Sequence, residues 1–155
     1  MKGPRLRLIV AAVLLFGWLG WLGYLAATKT NPVILSRSQV MASSHFVLAK
    51  VSLDASTGLP VREVEIVEDL RPNGEPVAGT VRIANLPEAR VAGTTTAFSE
   101  PGTYLLMLTK TLIGYELTLP PRSPGHDGPA RLQPWAYVWS APGVQQQFEA
   151  LVPRR

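Results

Sequence analysis

The chain has 155 residues, room for one domain of ordinary size plus an appendage. Its formal charge of +4 is not a nucleic-acid footprint: three of its 15 basic residues fall in the first seven positions and all 11 acids come later, leaving a net of about +1 over the remainder. It has no cysteine, which excludes disulfides, thiolate catalysis, cysteine metal sites and covalent haem attachment.

Residues 1–7, MKGPRLR, form a basic flank with Lys2, Arg5 and Arg7 and no acid. Residues 8–27, LIVAAVLLFGWLGWLGYLAA, carry no charge, and as a helix they measure ~30 Å, the thickness of a bilayer core. The positive-inside rule then predicts a single-pass signal-anchor in the cell membrane, N-terminus cytoplasmic and the remainder extracytoplasmic. A cleavable signal peptide has a shorter apolar core and a small-x-small exit. Here the exit LAATKT places Tyr24 or Leu25 at the third position back, so the helix is expected to stay.

Within GWLGWLGYLAA the glycines recur every third position. Trp21 and Tyr24 lie ~20 Å and ~24 Å along from Leu8, where interfacial aromatic belts form; Trp18, at ~15 Å, lies near the midplane. Gly17, Gly20 and Gly23 leave a smooth strip, and Gly23 with Ala27 makes a small-xxx-small pair that permits close helix packing. Trp21 and Tyr24 are expected to anchor, and the glycine strip with Trp18 to meet another helix.

Residues 28–35 contain Asn31-Pro32 and read as a juxtamembrane linker, with a domain over 36–155. FVLAKVSLD (46–54) alternates, Val47, Ala49, Val51 and Leu53 opposite Lys50 and Ser52. VREVEIVEDL (61–70) alternates again, with Val64 and Ile66 opposite Glu63 and Glu65, and RPNGEP then supplies an Asn73-Gly74 reversal. GTVRIAN (79–85) is a third predicted strand, TYLLMLTK (103–110) a central one apolar on both faces, and YELTL (115–119) a fifth. Five short strands with Gly/Pro turns predict a mainly β fold, a small antiparallel barrel or sandwich. Residues 120–134 hold five prolines and read as an exposed irregular loop. WAYVWS returns to alternation, and PGVQQQFEALV predicts a short closing helix with Val144, Phe148 and Leu151 at i, i+4 and i+7 and Ser140 as N-cap.

Three strings carry a family resemblance: SRSQVMASSHFVLAKV, VREVEIVEDLRPNGEPVAGTVRIAN and SEPGTYLLML, across roughly residues 36–119. Their order resembles the netrin-like, or tissue-inhibitor-of-metalloprotease-like, form of the OB fold in its bacterial type. The resemblance implies a five-stranded OB-like barrel. Members commonly carry cysteines near the domain start and before the Pro-Gly turn. Here there are none, so the metalloprotease inhibition that uses an N-terminal cysteine as zinc ligand does not carry over. An anchor followed by an OB barrel is also the layout of the periplasmic haem chaperone of cytochrome c maturation, which needs a histidine four residues before a tyrosine. Ala49 follows His45 at that spacing and Ala130 follows His126, so that role is rejected.

No constellation names a reaction. Glu63 and Glu65 share a strand face that normally meets water, which is not the arrangement of a catalytic carboxylate pair. His45 and His126 are 81 positions apart, and His126-Asp127 offers too few ligands for zinc. No serine sits in a G-x-S-x-G elbow, and no phosphate loop or dinucleotide fingerprint occurs. No catalytic residue, metal or cofactor is therefore expected. The most specific feature is WAYVW, where an extended chain puts Trp135, Tyr137 and Trp139 on one face. Such a ladder either packs against the closing helix or meets a sugar, a peptide, a partner's apolar side chains or lipid headgroups.

The expected function is a non-enzymatic, membrane-tethered interaction module. It would present its β domain at the cell envelope, with the lipid bilayer and another envelope protein as partners and no nucleic acid. An accessory subunit of a membrane complex, bound through the transmembrane helix, is the alternative, and an envelope hydrolase the third.

Overall fold

A computed structural model describes residues 3–28, 33–70, 76–94, 98–121 and 132–152. The chain divides into two compact units, Met1–Asn31 and Pro32–Arg155.

The first unit is one helix, α1 (Gly3–Thr28). Its segment Arg7–Ala27 has a mean hydropathy of 2.1 and buries nothing against the protein, so it is long and apolar enough to cross a membrane. Such a helix satisfies its own backbone hydrogen bonds, which is what a lipid environment demands. The predicted 8–27 span agrees with it within a residue. Lys2 lies outside the described residues, as does the side chain of Arg5; Arg7 is exposed at the start of the span.

The second unit opens with α2 (Arg37–Ala42), followed by β1 (His45–Val51), β2 (Glu63–Asp69), β3 (Gly79–Arg82), a single 3-10 turn at Leu86–Glu88, β4 (Arg90–Val91), β5 (Gly102–Thr111), β6 (Gly114–Leu117), β7 (Trp135–Val138) and α3 (Val144–Leu151). These seven strands make one mixed sheet in the order β3-β2-β1-β5-β7-β4, with β6 also paired to β5. The expectation was five antiparallel strands closed into a barrel. Two further strands are present, β4 and β7 run parallel to each other, and the sheet is not closed. Between β3 and β6 there is one isolated parallel bridge, Ile83 to Tyr115, with Ala84 N donating to Tyr115 O at 3.1 Å. Asn85 extends this seam with its side chain. Its Nδ2 donates to Leu117 O at 2.9 Å and its Oδ1 accepts from Leu117 N at 2.7 Å.

β5 can hold the centre because both of its edges are used and both of its faces are apolar. One edge pairs with β1 over seven positions, His45 with Leu108 through Val51 with Gly102. The other is shared, β7 meeting Tyr104 and Leu105 and β6 meeting Leu108 to Thr111. Its side chains divide by the two-residue period of a strand. Tyr104, Leu106 and Leu108 enter one core cluster with Val47, Ala49, Val51, Val64, Ile83, Leu117 and Ala136. Leu105 and Met107 enter a second with Phe46, Leu48, Val40, Tyr137, Val144 and Phe148. The predicted solvent face of β1 is thus covered: Phe46 and Leu48 are buried under the helices, and only Lys50 is exposed. Each such fully buried aliphatic side chain contributes about 1.5–3 kcal/mol.

β2 keeps the expected alternation as far as Ile66, which packs on the first cluster. The pairing to β1 slips between Leu48 and Ala49, so Val67 is an extra residue in a bulge and stands exposed. The predicted linker 28–35 is shorter than expected, because Leu35 is 3% exposed and Val33 packs on the second cluster. Val33 reaches this position against Gly93, whose φ of +85° and missing side chain leave the space: a Cβ there would stand 2.7 Å from Val33 Cγ2. At the far end, α3 is capped by Gly143 at φ +83°, not by Ser140, which sits in the turn before it. Most of the predicted loop 120–134 lies outside the described residues.

Candidate functional site

The aromatic ladder is the first place to look. Trp135, Tyr137 and Trp139 do share a face, and that face looks onto the second core cluster, while Ala136 and Val138 turn to the first. Tyr137 is 1% exposed; Trp135 and Trp139 are half-buried. The Trp139 ring lies edge-on to Phe148 of α3 at 6.2 Å, and Phe148 meets Phe46 of β1 at 5.5 Å. The ladder therefore joins β7 to α3 by ring-edge packing.

Around Tyr137 is a buried polar cluster that sequence reasoning missed. Ser36 caps α2, its side chain accepting from Gln39 N at 3.3 Å. Gln39 is fully buried, and its Nε2 donates to Thr118 O at 2.9 Å and to Trp135 O at 3.1 Å. The Tyr137 hydroxyl donates to Gln39 Oε1 at 3.2 Å and accepts the Ser36 N–H at 3.0 Å. Burial pushes the Tyr137 phenol above the usual tyrosine range, and the Ser36 N–H opposes that. Ser43 Oγ and Thr109 Oγ1 both meet Thr118 Oγ1, at 2.9 and 2.8 Å. The signal for this cluster was present as Ser36-x-x-Gln39, a capping-box spacing ahead of a short apolar stretch. These groups are hydrogen-bonded to one another and to the backbone, and the cluster positions α2 against β7 and Thr118.

His45 is 6% exposed at the entrance to β1. Its ring lies edge-on to Tyr115 at 5.7 Å, and its Nδ1 has no hydrogen-bond partner. One of its neighbours is thus an aromatic ring. His126 and Asp127 lie outside the described residues. Among the described residues no three His, Asp or Glu side chains converge as a metal-ligating set.

Glu63 and Glu65 of β2 face solvent, both exposed. They border an open groove of about 640 Å³ with Lys50, Ser52, Thr80 and Thr103. Lys50 Nζ meets Glu65 Oε2 at 3.3 Å across it, an exposed pair whose contribution is small. Tyr104 closes one end of the first core cluster. Its hydroxyl donates to Glu100 O at 2.7 Å, and burial, with the Glu100 charge second, pushes its phenol up. In the β1–β2 loop the Asp54 carboxyl is held below its ordinary value by the Ser56 hydroxyl, then by the Ser56 and Thr57 amides; this is a local turn.

On α1, Trp18, Trp21 and Tyr24 are all exposed, and the Trp21 and Tyr24 rings lie 6.0 Å apart. Gly17, Gly20 and Gly23 have no atom within 4 Å of where a Cβ would stand, and Ala27 is exposed near the helix end.

No protein-family model, curated protein or solved structure matches the chain.

Proposed function

We propose that the protein is a single-pass, membrane-anchored module with no enzymatic activity, which holds a β domain on the extracytoplasmic side of the cell membrane for contact with another envelope protein. The observation that carries this reading is α1. Twenty-one consecutive residues of mean hydropathy 2.1 bury nothing in the protein, and only a lipid or protein environment satisfies such a surface. The basic flank of Lys2, Arg5 and Arg7 supports a cytoplasmic N-terminus.

An OB-like, netrin-like organisation is part of the same proposal. Supporting it, β1, β2 and β3 form a meander, β5 returns beside β1, and β6 leads from β5 to the Ile83–Tyr115 bridge at the end of β3. In the OB-like reading, α2, α3 and the ladder of β7 are additions that cover the outer face of β1 and β5.

A second reading, an accessory subunit held through its helix, is favoured by the open strip at Gly17, Gly20 and Gly23. Carbonate washing of membranes, followed by protease treatment from the outside, tests the first claim. The protein stays in the pellet and loses its C-terminal domain; release into the supernatant, or full protection, overturns it. Partner capture in mild detergent with the chain and with a version whose helix is replaced by an unrelated span separates the two readings. Partners retained after the swap point to the β domain, and partners lost point to the helix.

A further inference from the structure

The second unit carries a row of large apolar side chains that its two cores do not use. At the β5–β6 turn Leu112 is 106% exposed and Ile113 is 87% exposed. Such a pair at the tip of a hairpin opposes the ordinary preference for polar turn residues. Nearby, Met41 of α2 is 77% exposed and Leu119 is 47% exposed. The tip and the C-terminal end of α2, which leads into β1, belong to one end of the sheet, and Leu119 stands level with the middle of β5. Gln39 of α2 and Ser43, which follows it, bond Thr118, the neighbour of Leu119. Ser44 N donates to Leu108 O at 2.9 Å and Lys110 N donates to Ser44 Oγ at 3.3 Å, two residues short of the tip. Ile34, 75% exposed, stands where the chain enters this unit.

The two chain stretches that carry this surface are basic. No acidic residue occurs between Thr28 and Leu53 or between Pro101 and Tyr115, while Arg37 and Lys110 are exposed there. Glu116, half-buried opposite Thr109, is the acid beside it. Of the acids of β2, Glu65 stands opposite Lys50 at the far end of β1 with Glu63 beyond it, while Glu68 and Asp69 stand opposite Leu48 and Val47, nearer this end.

We infer that this surface docks on an anionic bilayer, the one its own helix spans. Leu112, Ile113 and Met41 enter the boundary between headgroups and acyl chains, and Arg37 and Lys110 meet lipid phosphates. The inference rests on the reading of α1 as a membrane anchor. Lipid is the occupant for two reasons. Four residues separate Thr28 from Val33, so chain length alone limits Val33 to within ~18 Å of Thr28. A tether of that length gives an effective concentration on the order of millimolar, at which two aliphatic side chains and two cations suffice. Bulky aliphatics flanked by a basic residue and a tyrosine, here Lys110 and Tyr115, also match the composition of membrane-interface segments.

The full chain reconstituted into vesicles tests this, and the absence of cysteine makes single labels clean. Ile113→Cys, Ala55→Cys in the exposed β1–β2 loop and Leu15→Cys in α1 each carry an environment-sensitive fluorophore. The vesicles are phosphatidylcholine with or without phosphatidylglycerol and contain nitroxide-labelled lipid. The label at 113 is expected to shift to the blue and be quenched at shallow depth in the anionic vesicles, while the label at 55 keeps its aqueous emission. Arg37→Gln with Lys110→Gln lowers the docked-to-undocked ratio by roughly tenfold or more. Equal emission from 113 and 55 with the label at 15 quenched overturns docking and leaves the anchor standing. An unquenched label at 15 overturns the anchor and docking with it. Undiminished quenching at 113 in phosphatidylcholine alone overturns the role of the two cations.

Discussion

The hydroxyl of Tyr137 stands inside the capping box of α2, between its two members. In the usual box the Gln at the third helical position reaches back to the N–H of the cap residue. Here the Ser36 N–H donates to the Tyr137 oxygen at 3.0 Å, and that hydroxyl donates on to Gln39 Oε1 at 3.2 Å. A residue of β7, about a hundred positions away, thereby completes the start of a six-residue helix that has little stability of its own.

Tyr137→Phe removes the link without changing the ring. It leaves Ser36 N–H and Gln39 Oε1 without their partner in a buried setting, and a loss of about 1–3 kcal/mol is expected. Gln39→Leu is expected to cost more, since it strips donors from both Thr118 O and Trp135 O. Denaturant unfolding of the full chain in mild detergent measures both. Wild-type stability in Tyr137→Phe refutes the role given to the hydroxyl.

The same tyrosine sets an alkaline limit. Burial raises its folded-state pKa above the unfolded value, so both states are protonated below about pH 10 and stability is intact there. Above that, the unfolded chain loses the proton first, and stability falls as pH rises through the folded pKa. Tyr104 adds to the fall in the same direction. Tyr137→Phe therefore starts lower but declines less steeply between pH 10 and pH 12, as thermal midpoints across that range would show.

Gly93 and Val33 make a test of close approach. Gly93→Ala meets both the +85° φ and the 2.7 Å contact with Val33 Cγ2, and about 1–3 kcal/mol of destabilisation is expected. Adding Val33→Ala relieves the contact and leaves the backbone strain. The double variant should recover relative to the sum of the singles, and strict additivity would show that the contact is not felt.

Trp139→Ala separates packing from display. A ring edge-on to Phe148 and half-buried in the second cluster is expected to contribute about 1–3 kcal/mol. An unchanged melting temperature would return the ladder to the role of a contact surface.

Asn85→Ala tests the seam between β3 and β6. It removes both bonds to Leu117 and is expected to speed amide exchange at Leu117 and Ala84 more than at the middle of β5. Uniform acceleration over all strands would mean that the seam does not open by itself.

How much of this was legible in the sequence depends on whether the deciding contact is local. The long apolar helix and the two-faced β5 could be read directly, since length, hydropathy and alternation are properties of a single segment. The first cluster was readable from Val47, Ala49, Val51 and Val64 for the same reason. β1 was read with a wet face because Lys50 and Ser52 are polar, yet Phe46 and Leu48 on that face are roofed by helices from either end of the domain. α2 was missed because six residues carry too weak a period, although Ser36-x-x-Gln39 marked its start. The pairing of β4 with β7 joins two short runs more than forty positions apart, and nothing in either run announces the other. Val67 lies in a run that looks regular, and only the register against Leu48 and Ala49 makes it a bulge.

The alternation along β5 has a mechanical outcome. Tyr104, Leu106 and Leu108 belong to one cluster and Leu105 and Met107 to the other, so a single ribbon is a wall of both compartments. Neither side can be loosened while that ribbon stays straight, and a ribbon that buckles vents both at once. Melting of this domain should be a single event, with the helices and the interior reporting the same midpoint, and with no long-lived species in which α2 and α3 have peeled away from an intact sheet.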